Sequence, residues 1–209
     1  MFKKLIFSSL LAVSLFLFIF SFSISLPIYV RPFYYAHIGA MDLPSQSGFT
    51  ESEIKQAYDD VLDYLTLPNK EFKTGVMAHS AEGKAHFKDC KVLFNLNAGV
   101  LTASALCLAV LYVLRKRIKV CKAVSFYTSL TAIILPVVIG SLASLNIDKA
   151  YVIFHRIFFP GKDNWLFDPV RDEIISVLPM QFFINCGILI GISIVVLSVV
   201  TMIPCRKRK

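Results

Sequence analysis

The chain has 209 residues, 56% of them hydrophobic and 17% charged, and its 22 Lys and Arg against 14 Asp and Glu give a net charge of +8. Soluble domains carry about 25% charged residues, and disordered chains have few aromatics, so neither class accommodates a sequence with 18 Phe. The apolar residues lie in runs of membrane-spanning length, which predicts an all-α integral membrane protein, one membrane domain over 1–209.

Residues 5–28, 92–114, 123–145 and 182–203 contain no Asp, Glu, Lys, Arg or His. Each is long enough to cross roughly 30 Å of hydrocarbon as a helix. The first follows Lys3 and Lys4 in the manner of a signal peptide. Its apolar run is much longer than a signal h-region, however, and no clear small-x-small site follows, so it is read as a retained helix. Four crossings put both termini on one side. The termini and the 115–122 loop carry eleven basic residues and no acidic ones, whereas segments 29–91 and 146–181 carry eleven basic and fourteen acidic. The positive-inside rule therefore predicts cytoplasmic termini and a cytoplasmic turn of Arg115, Lys116, Arg117, Lys119 and Lys122. These clusters read as orientation signals facing anionic membrane lipid, not as a nucleic-acid patch.

The 29–91 segment is predicted to form a small extracytoplasmic cap. Residues 29–49 are rich in aromatics and turn formers, and Tyr29, Tyr34 and Tyr35 suit the interfacial belt. Thr50 and Glu53 have capping-box spacing, and Ile54, Ala57, Val61, Leu62 and Leu65 recur at helical period. Residues 51–66 thus read as an amphipathic helix with an acidic face of Asp59, Asp60 and Asp63, its apolar stripe packed on the bundle or on other loop segments. Residues 70–79 leave room for at most one short strand.

In the third span, Pro136 is expected to kink the helix, and Gly140 with Ser144 forms a small-xxx-small pair suited to close helix contact. No ionisable residue lies within any span, and no inverted repeat is visible, which argues against an ion-coupled transporter. The 146–181 segment brings the aromatic run Tyr151 to Pro160, a turn at Gly161 to Asn164, and a short helix from Asp168 and Pro169 through Ile174, Ile175 and Leu178, interrupted by Pro179. Of the five Cys, Cys107 lies mid-span, and Cys121 and Cys205 lie at the cytoplasmic edge. Only Cys90 and Cys186 are placed so that they could pair; their spacing carries no metal or redox motif, and the simplest reading is small apolar filler.

All four His (His37, His79, His86 and His155) fall on the predicted outer side. His86 precedes the second span by six residues and His155 follows the third by ten, so both belong at the membrane surface although 69 positions separate them. They are the best candidates for acid/base chemistry near lipid headgroups, against the plainer reading of locally hydrogen-bonded interfacial histidines. On a helix, Glu82 and Asp89 share faces with His86 and could orient its imidazole. No nucleophile elbow, zinc helix or phosphate loop is present. His79, Glu82 and His86 fit no specific zinc signature, so no metal or other cofactor is called for.

The segment Ser80-Ala-Glu82-Gly-Lys-Ala-His86-Phe-Lys-Asp89, the segment Phe154-His155-Arg156-Ile-Phe-Phe159-Pro160-Gly-Lys-Asp-Asn-Trp165-Leu-Phe167-Asp168-Pro169, and the Leu178-Pro179 pair before the last span carry a resemblance. Together with the four-span layout they resemble the bacterial lipoprotein intramolecular transacylase family over nearly the whole chain. The resemblance implies an enzyme of the bacterial cytoplasmic membrane with its site at the outer face. It would move the sn-2 acyl chain of a diacylglyceryl-modified N-terminal Cys to that residue's own α-amine, making lyso-form lipoprotein. His86 and His155 match the family's two essential histidines. On that reading they supply acid and base, unassigned individually and without an acyl-enzyme. Glu82, Asp89 or Asp168 would orient them, with Arg156 or a backbone N–H near the oxyanion. Phe158, Phe159, Trp165 and Phe167 are interface anchors or substrate contacts. The partners implied are diacylglyceryl lipoproteins and membrane lipid, with a groove opening sideways between helices to admit acyl chains. The rival reading is a non-catalytic scaffold or sensor whose outer domain binds a partner.

Overall fold

The structure is a computed structural model that describes residues 2–114 and 122–203. The basic turn of Arg115, Lys116, Arg117 and Lys119 with Cys121, and the C-terminal Cys205 with the basic residues beyond it, lie outside the described residues. Among those described are eight α-helices: α1 Phe2–Tyr29, α2 Arg31–Ala40, α3 Leu43–Ser47, α4 Glu51–Thr66, α5 Ala81–Leu114, α6 Lys122–Ser144, α7 Ile147–Phe158 and α8 Met180–Met202. A single 3-10 turn, Glu173–Ser176, is the other regular element among them. Four of these helices, α1, α5, α6 and α8, are long and apolar enough to cross a membrane, and the chain is a multi-pass membrane protein. The short strand allowed for 70–79 is absent: Thr74 instead accepts no partner strand but closes a turn, its Oγ1 donating to the Met77 carbonyl at 2.7 Å.

The chain divides into two compact units. The first comprises Met1–Leu26, Asn97–Leu145 and Ile188–Lys209. Its core is Leu15, Ile19, Ala132 and Ile194, against which Phe16, Phe20, Leu108, Ile190 and Leu197 pack. Its outward side chains, such as Val113, Leu142 and Ile192, are exposed apolar groups of the kind that face lipid. Polar groups here bond within a helix or to a neighbouring one: Ser23 and Ser25 donate to carbonyls one turn earlier, Asn97 Nδ2 donates to Ser25 Oγ at 2.9 Å, and Ser129 meets Thr201 at 2.7 Å. Pro136 lies inside α6 and borders an apolar groove of about 330 Å³ lined by Val137, Gly191, Ile192, Val195 and Val196. The expected close contact at Gly140 is not made. A Cβ there would meet nothing within 4 Å, and Ser144 turns back to the Ser141 carbonyl.

The second unit comprises Pro27–Leu96 and Asn146–Gly187. Helix α4 has the predicted limits and capping box, Thr50 Oγ1 accepting from Glu53 N–H while Glu53 accepts from Thr50 N–H. Its stripe of Ile54, Ala57, Tyr58, Val61, Leu62 and Leu65 is buried in the unit's core with Tyr34, Ile38, Leu43, Phe72, Met77, Phe87, Ile174, Val177 and Phe182. Its acidic face is occupied: Asp59 and Asp63 pair with Arg31, and Asp60 accepts from Gly75 N–H at 3.2 Å. Two of the tyrosines make contacts within this unit. Tyr34 is wholly buried, stacked on Tyr58 at 3.8 Å and donating to the Val177 carbonyl at 2.7 Å, and Tyr35 donates to Asp59 at 2.7 Å. Residues 31–47 form two helices in place of turns, because Pro32 and Pro44 stand in their first turns, where a missing N–H costs nothing. Gly48, at φ 78°, ends α3 in the left-handed region that glycine enters freely.

Candidate active site

Helix α5 holds the uncharged run 92–114 in its later part; residues 81–91 carry Glu82, Lys84, His86, Lys88, Asp89 and Lys91 and belong to the second unit. Ser80 starts the helix, its Oγ accepting from Gly83 N–H at 2.8 Å. Asp172, 2% exposed, holds this start from the second outer segment: one carboxylate oxygen accepts Ser80 N–H at 2.8 Å and the other Ser80 Oγ–H at 3.0 Å. Glu173 adds a two-way link to Ala78, N–H to carbonyl at 3.1 Å and carboxylate from N–H at 2.7 Å. An anion at a helix N-terminus is favoured by the unpaired N–H groups there, so the loop and the helix fix each other.

Two turns into α5 stands His86, 6% exposed; near the end of α7 stands His155, 8% exposed. Asn146 caps α7 by accepting Lys149 N–H at 2.9 Å. The two imidazole rings lie 5.7 Å apart, centroid to centroid. Aromatic side chains enclose them. Phe159 meets His86 edge-on at 4.8 Å, Phe167 meets it edge-on at 5.4 Å, Trp165 stacks on His155 at 4.8 Å, and Tyr151 lies 4.1 Å from His155. Trp165 is held by its own indole N–H, which donates to the Lys162 carbonyl at 2.8 Å. The turn that aims it passes through Gly161, at φ 71°.

Each ring has one nitrogen engaged along its own helix. His155 Nδ1 lies 2.8 Å from the Tyr151 carbonyl, so it carries the proton and leaves Nε2 with a free lone pair. His86 Nε2 lies 3.4 Å from Cys90 Sγ, while its Nδ1 is buried with no hydrogen-bond partner. Burial, and then the charge of His155, push His86 down to about 4, against the opposing pull of Asp89 and Asn164. Burial likewise lowers His155, opposed by the Tyr151 carbonyl. Burial pushes the Cys90 thiol up to about 12, so it stays protonated. Cys90 and Cys186 are both free thiols.

The structure brings together His86, His155, Phe159, Trp165 and Phe167, and sets Asp89 one side chain behind them. Asp89 accepts from Lys162 Nζ and from Asn164 Nδ2 at 3.0 Å; burial opposes its ionisation, but these bonds hold its carboxyl below the usual range. The remaining candidates lie elsewhere. Glu82 is exposed and pairs with Arg171 at 2.9 Å, Asp168 is exposed and accepts Val170 N–H at 2.9 Å, Arg156 is exposed, and Phe158 is exposed against Phe154. His79 meets Thr74 Oγ1 at 3.0 Å, and His37 lies between the Phe33 carbonyl and Asn185 Nδ2. Among the described residues no three His, Cys, Asp or Glu side chains are grouped to hold a metal. Asn164 and Asp172 are the polar residues that sequence reasoning passed over. The only signal was an Asn in the turn before the single Trp, and an Asp four residues beyond the one that was chosen.

Buried imidazoles, one with a free lone pair and one with an unpaired nitrogen, within an aromatic enclosure suit proton transfer on an apolar substrate. No curated protein matches the chain in sequence. Residues 9–183 match the family described as lipoprotein intramolecular transacylase Lit. The structure of the membrane-integral lipoprotein intramolecular transacylase Lit from Bacillus cereus is similar, with a TM-score of 0.87 and 26% identity over 95% of this chain and 92% of that one. Two structures of that enzyme with a histidine replaced, by arginine in one and alanine in the other, give TM-scores of 0.83 at 25% identity over 98% of this chain. By the extent of that match, the chain belongs to the lipoprotein intramolecular transacylase Lit family.

Proposed function

We propose that His155 shuttles the proton and His86 stabilises the oxyanion in an O-to-N acyl shift within one lipoprotein molecule. Family membership makes the protein a membrane acyltransferase that acts on lipoproteins. The substrate is an N-terminal Cys carrying diacylglycerol on sulfur, with a free α-amine. The amine nitrogen attacks the sn-2 ester carbon, the C–N bond forms, and the carbonyl electrons move to oxygen. His155 Nε2 takes the N–H proton. The tetrahedral intermediate then breaks its bond to the sn-2 oxygen, which takes the proton back from the imidazolium. The products are an N-acyl amide and a free sn-2 hydroxyl, with no water and no acyl-enzyme.

His86 acts as a neutral donor. With the Cys90 thiol protonated, S–H donates to His86 Nε2 and the ring proton sits on Nδ1, ready for the oxyanion. Its low pKa keeps the imidazole neutral at pH 7, and a neutral imidazole can serve as an electrophile. Nucleophile and ester belong to one molecule, so holding them in register supplies rate through proximity, about 7 to 11 kcal/mol in favourable intramolecular systems. The all-basic loop and termini, read by the positive-inside rule, support a site at the outer face of the cytoplasmic membrane, where the diacylglyceryl chains of the substrate would be anchored.

The observation that carries this reading is the pair of buried rings 5.7 Å apart, brought together from helices far apart in sequence. The test is a liposome assay with a synthetic S-diacylglyceryl-Cys peptide, read by mass spectrometry. His86→Ala and His155→Ala should each lower lyso-form yield at least a hundredfold while the protein remains in the membrane. Normal yield from either variant refutes the assignment.

A further inference from the structure

Two bonds cross from the helix of one histidine to the turn that follows the helix of the other. Asp89 stands one turn beyond His86 on α5, and its carboxylate accepts from Lys162 Nζ on one oxygen and from Asn164 Nδ2 on the other, at 3.0 Å. Both donors lie in the turn between α7 and Trp165. Helical spacing marks Asp89 as a group to orient His86, but neither nitrogen of that ring bonds to it: Nε2 faces Cys90 Sγ, and Nδ1 has no hydrogen-bond partner.

The turn carries the constraint to His155 instead. Lys162 N–H donates to the Phe159 carbonyl at 3.2 Å, and the Lys162 carbonyl accepts the Trp165 indole N–H at 2.8 Å. The backbone of Lys162 is thus braced on both sides while its side chain is tied to α5. Trp165, 4% exposed, lies on the His155 ring with centroids 4.8 Å apart and an interplanar angle of 27°. The bond from His155 Nδ1 to the Tyr151 carbonyl fixes one point of the ring. The outer torsion of a histidine is broad, so the tilt about that point, and with it the direction of Nε2, falls to the stacked indole. A carboxylate that accepts two donors at once, one of them an ammonium, is a firmer tie than a lone surface ion pair. The other polar ties of this segment to α5, from Asp172 to Ser80 and from Arg171 to Glu82, are made at the helix start and lie beyond Trp165 in the chain.

We infer that Asp89 is a positioning residue for His155, the histidine of the other helix: through Lys162 and Asn164 it seats Trp165, and Trp165 sets the direction in which His155 Nε2 meets the substrate. The inference rests on the proposed acyl shift for its kinetic readout, whereas its fluorescence readout needs no turnover.

Trp165 is the single Trp of the sequence, so its emission reports this turn alone. In the full-length protein in liposomes, Asp89→Ala should raise acrylamide quenching of Trp165 severalfold. It should also lower kcat for the S-diacylglyceryl-Cys peptide by about tenfold to a hundredfold with KM little changed, the scale of loss that a misplaced reacting group produces. Lys162→Met, which removes one of the two bonds from a half-exposed side chain, should move both readouts the same way by less, and it serves if Asp89→Ala does not fold. In a Trp165→Ala background, loss of the Asp89 carboxylate should cost little further in kcat. Wild-type quenching or unchanged kcat in the folded variants overturns the inference. So does an undiminished Asp89→Ala penalty in the Trp165→Ala background, which marks direct action on His86, or a loss confined to KM, which marks contact with substrate. Failure of the acyl-shift reading looks different, since the wild type would then leave the peptide unconverted while the quenching comparison stands.

Discussion

Replacing Gly83 by Ala should destabilise the protein, against the ordinary direction of that change. Alanine is about 1 kcal/mol better than glycine in a helix interior. At Gly83, however, a Cβ would stand 2.3 Å from Asp172 Oδ1, 3.0 Å from its Cγ and 3.2 Å from Phe167 Cε1. The carboxylate must retreat, and it is the group that accepts both Ser80 N–H and Ser80 Oγ–H at the start of α5. Overpacking of this kind costs about 1 to 3 kcal/mol, and a hydrogen bond to a charged group contributes about 1.5 to 3 kcal/mol. With the propensity gain set against these, the net loss is about 3 kcal/mol, a fall in Tm of roughly 6 to 12 °C for a chain of this size. Activity should fall as well, because Phe167 packs edge-on against His86. The assay is thermal unfolding of the purified protein in detergent, beside Gly39→Ala, where a Cβ meets nothing within 4 Å. In an Asp172→Ala background the Gly83→Ala penalty should largely vanish. A Gly83→Ala protein as stable as the wild type, or a penalty undiminished in that background, would refute the steric argument.

Other expectations concern titration, the thiol and metal ions. His86 is held near 4 against an ordinary 6.5, so folding favours its neutral form; stability is full above pH 6.5 and declines as pH falls toward 4, by about 3 kcal/mol in all. Denaturation of a His86→Phe protein should be flatter across that window, and an equal slope would contradict the shift. Because His155 is also lowered, the acid limb of kcat/KM should follow the substrate amine, near its ordinary 7.7 to 8.0, with no histidine limb above about 6.5. Cys90, pushed up to about 12, should resist iodoacetamide at pH 8 at least a hundredfold better than the same thiol in denaturant, and Cys90→Ala should lower kcat only a few-fold, given the weak 3.4 Å contact. Chelation should leave turnover unchanged, and loss of activity with rescue by zinc would contradict a metal-free mechanism.

The four spans were legible because charge is absent from each, and α4 because its capping box and apolar period coincide. The uncharged run 92–114 marks a span, while the helix that carries it begins eleven residues earlier, at Ala81. Residues 81–91 carry charges that a search for uncharged runs excludes, although they continue the same helix. Helices α2 and α3 were hidden by Pro32 and Pro44, which mark turns as readily as first helical turns. At the site, titratable residues were visible and neutral or distant ones were not. His86 and His155 stand out as imidazoles near span ends, but Asn164 has no charge to mark it. Glu82 shares the His86 face by spacing and yet lies a turn nearer the exposed helix start, where Arg171 takes it. Asp172 acts only through the contact that Gly83 permits, a relation that spans 89 positions of chain and leaves no local pattern.

The central claim is tested most directly by expressing the chain in a bacterium that makes only diacylated lipoproteins and determining their N-terminal peptides by mass spectrometry. The account predicts that one acyl chain appears on the cysteine nitrogen and one hydroxyl on the glyceryl group, with no change in total mass. Lipoproteins that keep both acyl chains on the glyceryl group and a free α-amine would contradict it.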